Sequence, residues 1–165
     1  MKRSHFRAAL AAALLAVPGA AVAQTTAPAT ATLNIGQVLF IDLTNDAITF
    51  PNPGAAEFQA GLVDANEQST VSFGGNITHD VTIQADAASF TPGGGATFAK
   101  PASDLLYDVN GSGTFTAIST TEADIVTAAP PGTDARTVDY RVALDETADE
   151  PGTYTLGFTY TIVPN

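Results

Sequence analysis

Cysteine and tryptophan are both absent from this chain of 165 residues. Without cysteine there can be no disulfide bond, no cysteine nucleophile and no cysteine-based metal site. A core in which a tryptophan packs against a disulfide is excluded as well. The fold must therefore be stabilised by the packing of its hydrophobic core alone.

Cationic residues are scarce, and half of them lie at the N-terminus. Lys2, Arg3 and Arg7 precede an apolar run over residues 8–17, and the small residues of 21–23 follow. This order is typical of a secretory signal peptide that occupies residues 1–23. The run is too short to span a bilayer, so the sequence predicts no transmembrane segment. We expect an exported product, located in the periplasm, at the cell surface or in the medium.

Removal of that segment would leave a strongly acidic chain. Lys100, Arg136 and Arg141 remain against seventeen carboxylates, so the net charge becomes 3 − 17 = −14. Such a charge excludes binding to nucleic acid through phosphates and binding to an anionic membrane surface. It favours solubility in salt.

A period of two over residues 153–162 indicates the clearest strand. Tyr154, Leu156, Phe158, Tyr160 and Ile162 share one phase, and threonines and Gly157 occupy the other. One buried and one wet face follow from this alternation.

Shorter patterns of the same kind recur upstream, and no helix of ordinary length is predicted. The predicted strands are 32–43, 47–50, 70–73, 77–85, 105–109, 114–118 and 137–144, with polar loops at 51–68, 91–104 and 119–136. Residues 55–68 are interpreted as mostly loop, with room for a short helix. The sequence thus predicts a flexible leader over 24–31 and a single all-β sandwich domain over 32–165, with about seven to nine antiparallel strands.

The corner before the last strand resembles the tyrosine corner of immunoglobulin-type domains. Glu150, Gly152 and Tyr154 are spaced by two, and Leu156 follows where antibody domains carry cysteine. The resemblance implies an immunoglobulin-like sandwich, with Tyr154 and Gly152 as structural corner residues and the tyrosine hydroxyl bonded to backbone upstream.

A second resemblance covers most of the chain after residue 23. The leader, the sequence Ile48-Thr-Phe-Pro-Asn52 and the terminal Pro151-Gly-Thr-Tyr-Thr155 look like those of exported bacterial proteins of the spore-coat-protein-U and fimbrial-subunit-like type. Pilus subunits of the chaperone-usher class usually carry a disulfide, which this chain lacks. The resemblance implies a structural role at the cell surface and no chemistry.

Catalytic patterns are missing from the sequence. His79 is the only histidine after residue 23, and it is interpreted as a buried structural residue. Neither a Gly-x-Ser-x-Gly elbow nor a His-Glu-x-x-His motif is present. We therefore expect no enzyme and no resident cofactor.

Calcium is the one metal that the loops could suit, because they are rich in oxygen ligands. One candidate site is the acidic loop with Asp145, Glu146, Asp149 and Glu150, and the other is the segment 108–112. The alternative interpretations are a solvated acidic loop and a hairpin turn.

Two functions remain open at this stage. The first is a non-enzymatic surface subunit that associates with itself or with other surface proteins. The second is an extracellular ligand- or glycan-binding module that uses end loops. The last strand would also leave a backbone edge that needs to pair with another strand. We expect residues 32–43 to fold back beside it, and donation of the leader and first strand to a neighbour is the alternative.

Overall fold

The computed structural model describes residues 27–165, so the predicted signal peptide and the start of the leader lie outside the described residues. The chain divides into a unit that ends at Asn34 and a compact unit over Ile35–Asn165. Residues 27–34 contain no helix or strand. The compact unit is nearly all β and its sheets are antiparallel, which confirms the predicted sandwich.

Eleven strands are present among the described residues, more than the predicted number. They are β1 (Leu39–Thr44), β2 (Leu62–Asp64), β3 (Ser69–Gly75), β4 (His79–Ala85), β5 (Thr91–Gly93), β6 (Leu105–Val109), β7 (Thr116–Ala117), β8 (Ala123–Ala129), β9 (Gly132–Ala143), β10 (Thr153–Thr155) and β11 (Phe158–Pro164). One α-helix, α1 (Ala55–Ala60), and a 3-10 turn, Ala102–Asp104, complete the described elements. Four of the strands have only two or three residues, and they account for the excess.

The strands form one large sheet and two small ones. The large sheet has the order β1-β3-β9-β6-β7, with β2 also paired to β9. A three-stranded sheet has the order β11-β4-β8, and β10 pairs with β5. The long strand β9 is the centre of the large sheet, because β2, β3 and β6 all pair with it.

Alternating residues of β4 and β9 supply much of the core. Val81 and Ile83 of β4 and Val138 and Tyr140 of β9 are almost completely buried, as is Phe73 of β3. Asp139 and Arg141, which alternate with the core residues of β9, are only half-buried, as a period of two produces, whereas Thr82 of β4 is buried as well. The hairpin predicted around residues 110–113 is also present, since β6 and β7 pair antiparallel across it.

The C-terminal stretch differs from the single strand predicted for residues 153–162. It is divided at Leu156 and Gly157, and its two parts, β10 and β11, pair with β5 and β4 respectively. The Asp86 amide donates to the Gly157 carbonyl at 2.9 Å, and the Asp86 carboxylate lies where a β-carbon of Gly157 would be. The predicted alternation survives the break, but the inward residues are only half-buried.

The first strand also differs from its prediction. It begins at Leu39 and pairs with β3, so it lies at the edge of the large sheet. It comes close to β11 without any hydrogen-bonded register between the two. Residues 39–44 thus fold back close to the last strand within their own domain, but the expected pairing that would cover the edge of that strand is wrong.

Several predicted loops contain regular structure. The range 51–68 holds α1 and β2, and β8 lies within 119–136. The sequence pattern does not predict strand β8, because its residues are mostly small and a bulge at Ala128, with φ 51°, interrupts its alternation. Residues 47–50, predicted as a strand, form none, although the Thr49 carbonyl accepts a hydrogen bond from the Asn66 amide at 3.0 Å.

Candidate functional site

A large groove opens beside β10. Its volume is about 910 Å³, and it is lined by the segment 46–53, by Phe58 of α1, and by the segment 149–158 with Leu144. Buried residues of the large sheet, Val63, Leu105 and Val142, form its deep surface. The groove therefore gives direct access to the apolar core.

The apolar side chains along the groove are incompletely covered. Tyr154, Leu156 and Phe158 are half-buried, as are Ile48 and Phe50 on the segment 46–53. Full burial of a side chain of this size contributes about 1.5–3 kcal/mol relative to exposure. A second segment that entered the groove would recover part of this free energy.

Strand β10 also has an unused edge. It pairs with β5 on one side and with no other described strand on the other. An unpaired strand edge offers amide and carbonyl groups that another extended chain can pair with. The groove thus combines an apolar surface with a backbone edge, which are the two features that hold an added strand.

The corner before β10 fixes one rim of the groove. The Tyr154 hydroxyl donates to the Glu150 carbonyl at 3.0 Å and accepts from the Glu150 amide at 3.1 Å. A β-carbon on Gly152 would collide with the Gly93 carbonyl and with Ala96, so only glycine allows this approach. The assignment of Tyr154 and Gly152 as an immunoglobulin-type corner stays a prediction, since it concerns a family role.

The Glu150 carboxylate connects the same rim to the segment after β5. It accepts the Thr97 amide at 2.6 Å and the Phe98 amide at 3.1 Å. These bonds, the Thr97 amide first, lower the pKa of Glu150. The rim is therefore tied to residues 97–98 by charge-assisted hydrogen bonds.

Lys100 forms a buried ion pair at the groove. Its Nζ lies 2.9 and 2.8 Å from the two carboxylate oxygens of Asp149 and 3.0 Å from Asp104. The Lys100 side chain is 3 % exposed and that of Asp149 is 7 % exposed. Loss of one partner would leave the other charged and buried, which is strongly unfavourable. The pair therefore fixes the loop that carries Asp149.

The four carboxylates of the calcium hypothesis point to different partners. Asp145 accepts the Thr147 amide at 2.8 Å, while Asp149 and Glu150 bind Lys100 and residues 97–98 as described above. Within residues 27–165, no group of three or more histidine, aspartate or glutamate side chains is placed to share a metal ion. Glu146 has an exposed side chain. The structure does not bring these four residues together, and calcium binding stays a prediction.

The other calcium candidate is the hairpin turn after β6. Asp108 is buried, and its carboxylate accepts the Ser112 hydroxyl, the Ser112 amide at 3.1 Å and the Gly113 amide at 2.7 Å. The Ser112 hydroxyl, the first of several hydrogen bonds, lowers the pKa of Asp108. The turn itself therefore supplies the partners of this carboxylate.

His79 lies in the core, 1 % exposed, at the start of β4. Its Nδ1 is 2.9 Å from the Ile77 carbonyl, and its ring packs edge-on against Phe73 at 5.8 Å between centroids. Its Nε2 is buried without a hydrogen-bond partner in the described residues. These contacts agree with the interpretation of His79 as a buried residue of the core.

Large apolar side chains are exposed near the N-terminal end of the described chain. Leu33 is 82 % exposed, Ile35 is 76 % exposed and Val38 is 58 % exposed. No charged residue occurs between Gln24 and Ile41. The sequence pattern placed Leu33 and Ile35 inside the first strand, but that strand begins only at Leu39 and both side chains are exposed.

Comparison with known proteins adds little. No protein-family model matches the chain, and no curated protein matches it. One solved structure with a similar chain is described as a chaperone-usher pilus. The identity is 14 %, the TM-score is 0.49, and the match covers 84 % of this chain and 96 % of the other. In the part of the chain from residue 27 onward, no helix is both long and apolar enough to cross a membrane.

Proposed function

We propose that this protein is an exported, non-enzymatic structural subunit of a fimbria- or coat-like assembly at the cell surface, and that its partner is a second copy of itself. The observation that carries the proposal is the groove beside β10, where half-buried apolar side chains lie next to an unpaired strand edge. A groove of this kind favours an extended segment as its occupant.

The occupant is the N-terminal segment of another copy. Leu33 and Ile35 are two residues apart, so in an extended chain their side chains point to the same face. Both are exposed, and the segment around them carries no charge. An uncharged segment can approach this acidic domain without like-charge repulsion, which a segment rich in aspartate or glutamate could not.

Two sources of free energy would hold the segment. Each backbone hydrogen bond to the free edge of β10 contributes a net stabilisation of about 0.5–1.5 kcal/mol. Apolar contact between the donated side chains and the groove adds about 25 cal/mol for each Å² removed from water. The pattern of alternate side chains would set the register.

A substitution in the groove tests the proposal. Leu156→Asp places a charge against the apolar lining, and we expect it to abolish concentration-dependent assembly of the mature chain. Thr116→Asp is the matched control, because it adds the same charge at an exposed strand position that does not line the groove. Light scattering and electron microscopy across a concentration series supply the readout. Equal assembly by both variants would disprove the role of the groove.

A substitution in the donor gives a complementary test. Ile35→Asp should also prevent assembly, while Asn34→Asp should not. A mixture of the Leu156→Asp and Ile35→Asp chains should form heterodimers only, since one chain keeps a working segment and the other keeps a working groove. Persistence of monomers in that mixture would argue against exchange between copies.

Export is tested separately. A chain produced from Met1 in a bacterial host should be recovered outside the cytoplasm with Gln24 as its first residue, as judged by N-terminal sequencing. Retention of residues 1–23 in the cytoplasm would contradict the predicted localisation.

The alternative function is an extracellular ligand- or glycan-binding module. Of the two loop aromatics, Phe58 lines the groove, whereas the Phe98 amide is bound by Glu150. The groove is thus also the place where a ligand would contact an aromatic ring. A glycan array with the mature chain distinguishes the two functions, because the structural subunit should give no hits.

A further inference from the structure

A clamp made by one asparagine holds the chain just before β1. The Asn76 side chain accepts the Val38 amide through Oδ1 at 2.8 Å and donates through Nδ2 to the Gly36 carbonyl at 2.7 Å. Its own backbone amide donates to the Val38 carbonyl at 3.1 Å. The side-chain amide therefore acts as an additional peptide group that continues the pairing of β1 with β3 beyond Gly75.

Two glycines beside Asn76 allow the chain to approach this closely. A β-carbon on Gly74 would collide with the Gly132 carbonyl and would lie 2.8 Å from the Phe40 ring. A β-carbon on Gly75 would lie 2.5 Å from the Val38 carbonyl oxygen and from the Leu39 side chain. Residues 38–40 therefore pack directly against the backbone of these two glycines, and a side chain at position 74 or 75 would not fit.

Upstream of the clamp the contacts change. Gly36 and Val38 each make hydrogen bonds to Asn76, but the compact unit begins only at Ile35, and residues 27–34 form no strand. Ile35 is 76 % exposed. Gly36 is therefore the first described residue that the clamp holds by a hydrogen bond, and Ile35 lies just before it with its side chain exposed.

We infer that Asn76 sets the length of the segment that one copy donates to the next. The inference rests on the proposed function. Residues from Gly36 onward stay with their own domain, and the donated segment ends at Ile35. Leu33 and Ile35 enter the neighbour's groove, whereas Val38 does not. Asn76 is in this sense a positioning residue, because it fixes where the donated segment leaves the domain and touches no part of the groove.

Thiol labelling of the full mature chain tests this inference, since the chain has no cysteine of its own. Single variants Ile35→Cys and Val38→Cys are labelled with a maleimide, first as dilute monomers and then in the assembled state. We expect assembly to slow labelling at position 35 by about tenfold or more, as expected when exposure requires local opening, and to leave the rate at position 38 within about twofold. Both positions are exposed, so the substitutions should leave folding intact.

Asn76→Ala is then combined with each cysteine, and Asn165→Ala serves as the control because Asn165 is also exposed and bonds away from the groove, to Asp80. Release of the clamp should lengthen the segment available for donation, so position 38 should become protected in assemblies of Asn76→Ala but not of Asn165→Ala. Protection of position 38 in the parent chain, or no effect of Asn76→Ala, overturns the boundary. Absence of protection at both positions in assembled material overturns the proposed function itself.

Discussion

The hydroxyl oxygens of Tyr140 and Tyr160 lie 2.7 Å apart and join the large sheet to the three-stranded sheet. Tyr140 belongs to β9 and Tyr160 to β11, and Phe158 packs against both rings. Burial raises the pKa of each hydroxyl, so both stay protonated in the physiological range. One neutral hydrogen bond inside the core thus connects the two layers of the sandwich.

Tyr160→Phe should lower the free energy of unfolding by about 1–3 kcal/mol, because the buried Tyr140 hydroxyl would lose this partner. Urea unfolding at neutral pH measures the change. The double variant Tyr140→Phe/Tyr160→Phe should recover part of the loss, since no polar group is then left without its partner. If Tyr140→Phe lowers the free energy of unfolding by the same amount in the parent chain and in Tyr160→Phe, the two hydroxyls are not coupled.

Ile83→Ala should destabilise the domain by about 2–5 kcal/mol, the usual cost of removing a large aliphatic side chain from a packed core. Ile83 is 1 % exposed. Ile35→Ala is the matched control, and as an exposed position it should change the unfolding free energy of the dilute monomer by less than about 0.5 kcal/mol. Similar losses from both substitutions would mean that Ile35 packs in its own domain, contrary to the role proposed for it.

Gly74→Ala should loosen β1. Its β-carbon would collide with the backbone of Gly132 and with the Phe40 ring, and overpacking of this kind costs about 1–3 kcal/mol. Near-ultraviolet circular dichroism and urea unfolding report the change. Gly36→Ala is the control, because a β-carbon there has open space and the backbone φ is not positive. Equal effects of the two substitutions would contradict steric exclusion at Gly74.

Stability should fall in acid. The pKa values of Asp108 and Glu150 lie below their ordinary values of 3.8 and 4.5, because hydrogen-bond donors hold the ionised forms. A carboxyl group whose pKa is lowered by folding contributes stability that is present above the unfolded pKa and is lost as pH falls through the folded pKa. We therefore expect the melting temperature to decrease as the pH falls below about 4.5.

Asp108→Asn serves as the reference for this experiment. It should be less stable than the parent chain at pH 7. At low pH its stability should approach that of the parent, because the parent's carboxyl group is then protonated and uncharged, like the amide of the variant. If the difference in stability between the two proteins is the same at every pH, the loss arises from the changed hydrogen-bonding shape of the side chain and not from its charge.

Calcium should have little effect on stability. Asp145, Asp149 and Glu150 each bind groups of the protein and do not converge on one point. A dication that bound the folded state alone would raise the melting temperature by mass action. We expect millimolar calcium to give the same melting temperature as a calcium-free control of matched ionic strength. A clear upward shift that Asp149→Asn abolishes would establish the calcium site.

The class of fold could be predicted because alternation is a local property of the chain. Val138, Tyr140 and Val142 alternate with polar residues, and the same holds for the inward positions of β4, so both strands were identified. Strand pairing could not be predicted in the same way. Residues 32–43 have a strand-like pattern throughout, yet the pairing begins only at Leu39, where the glycine pair of β3 allows close approach.

The groove could not be predicted from sequence patterns either. Tyr154, Leu156 and Phe158 were recognised as apolar, but their pattern does not reveal whether an opposing surface covers them. That depends on the segment 46–53, which forms no strand, and on the break at Gly157. The acidic loop illustrates the same point, because its sequence does not reveal that Asp149 pairs with Lys100 or that Glu150 accepts the amides of residues 97–98.

The break at Leu156 and Gly157 has a consequence for hydrogen exchange. Because β10 and β11 belong to different sheets, the short pairing of β10 with β5 can open while the seven-residue strand β11 stays paired with β4. Short edge pairings of this kind belong to the least protected part of a fold. Opening of β10 would widen the groove and leave the three-stranded sheet intact, so the strand entry proposed above would not require global unfolding.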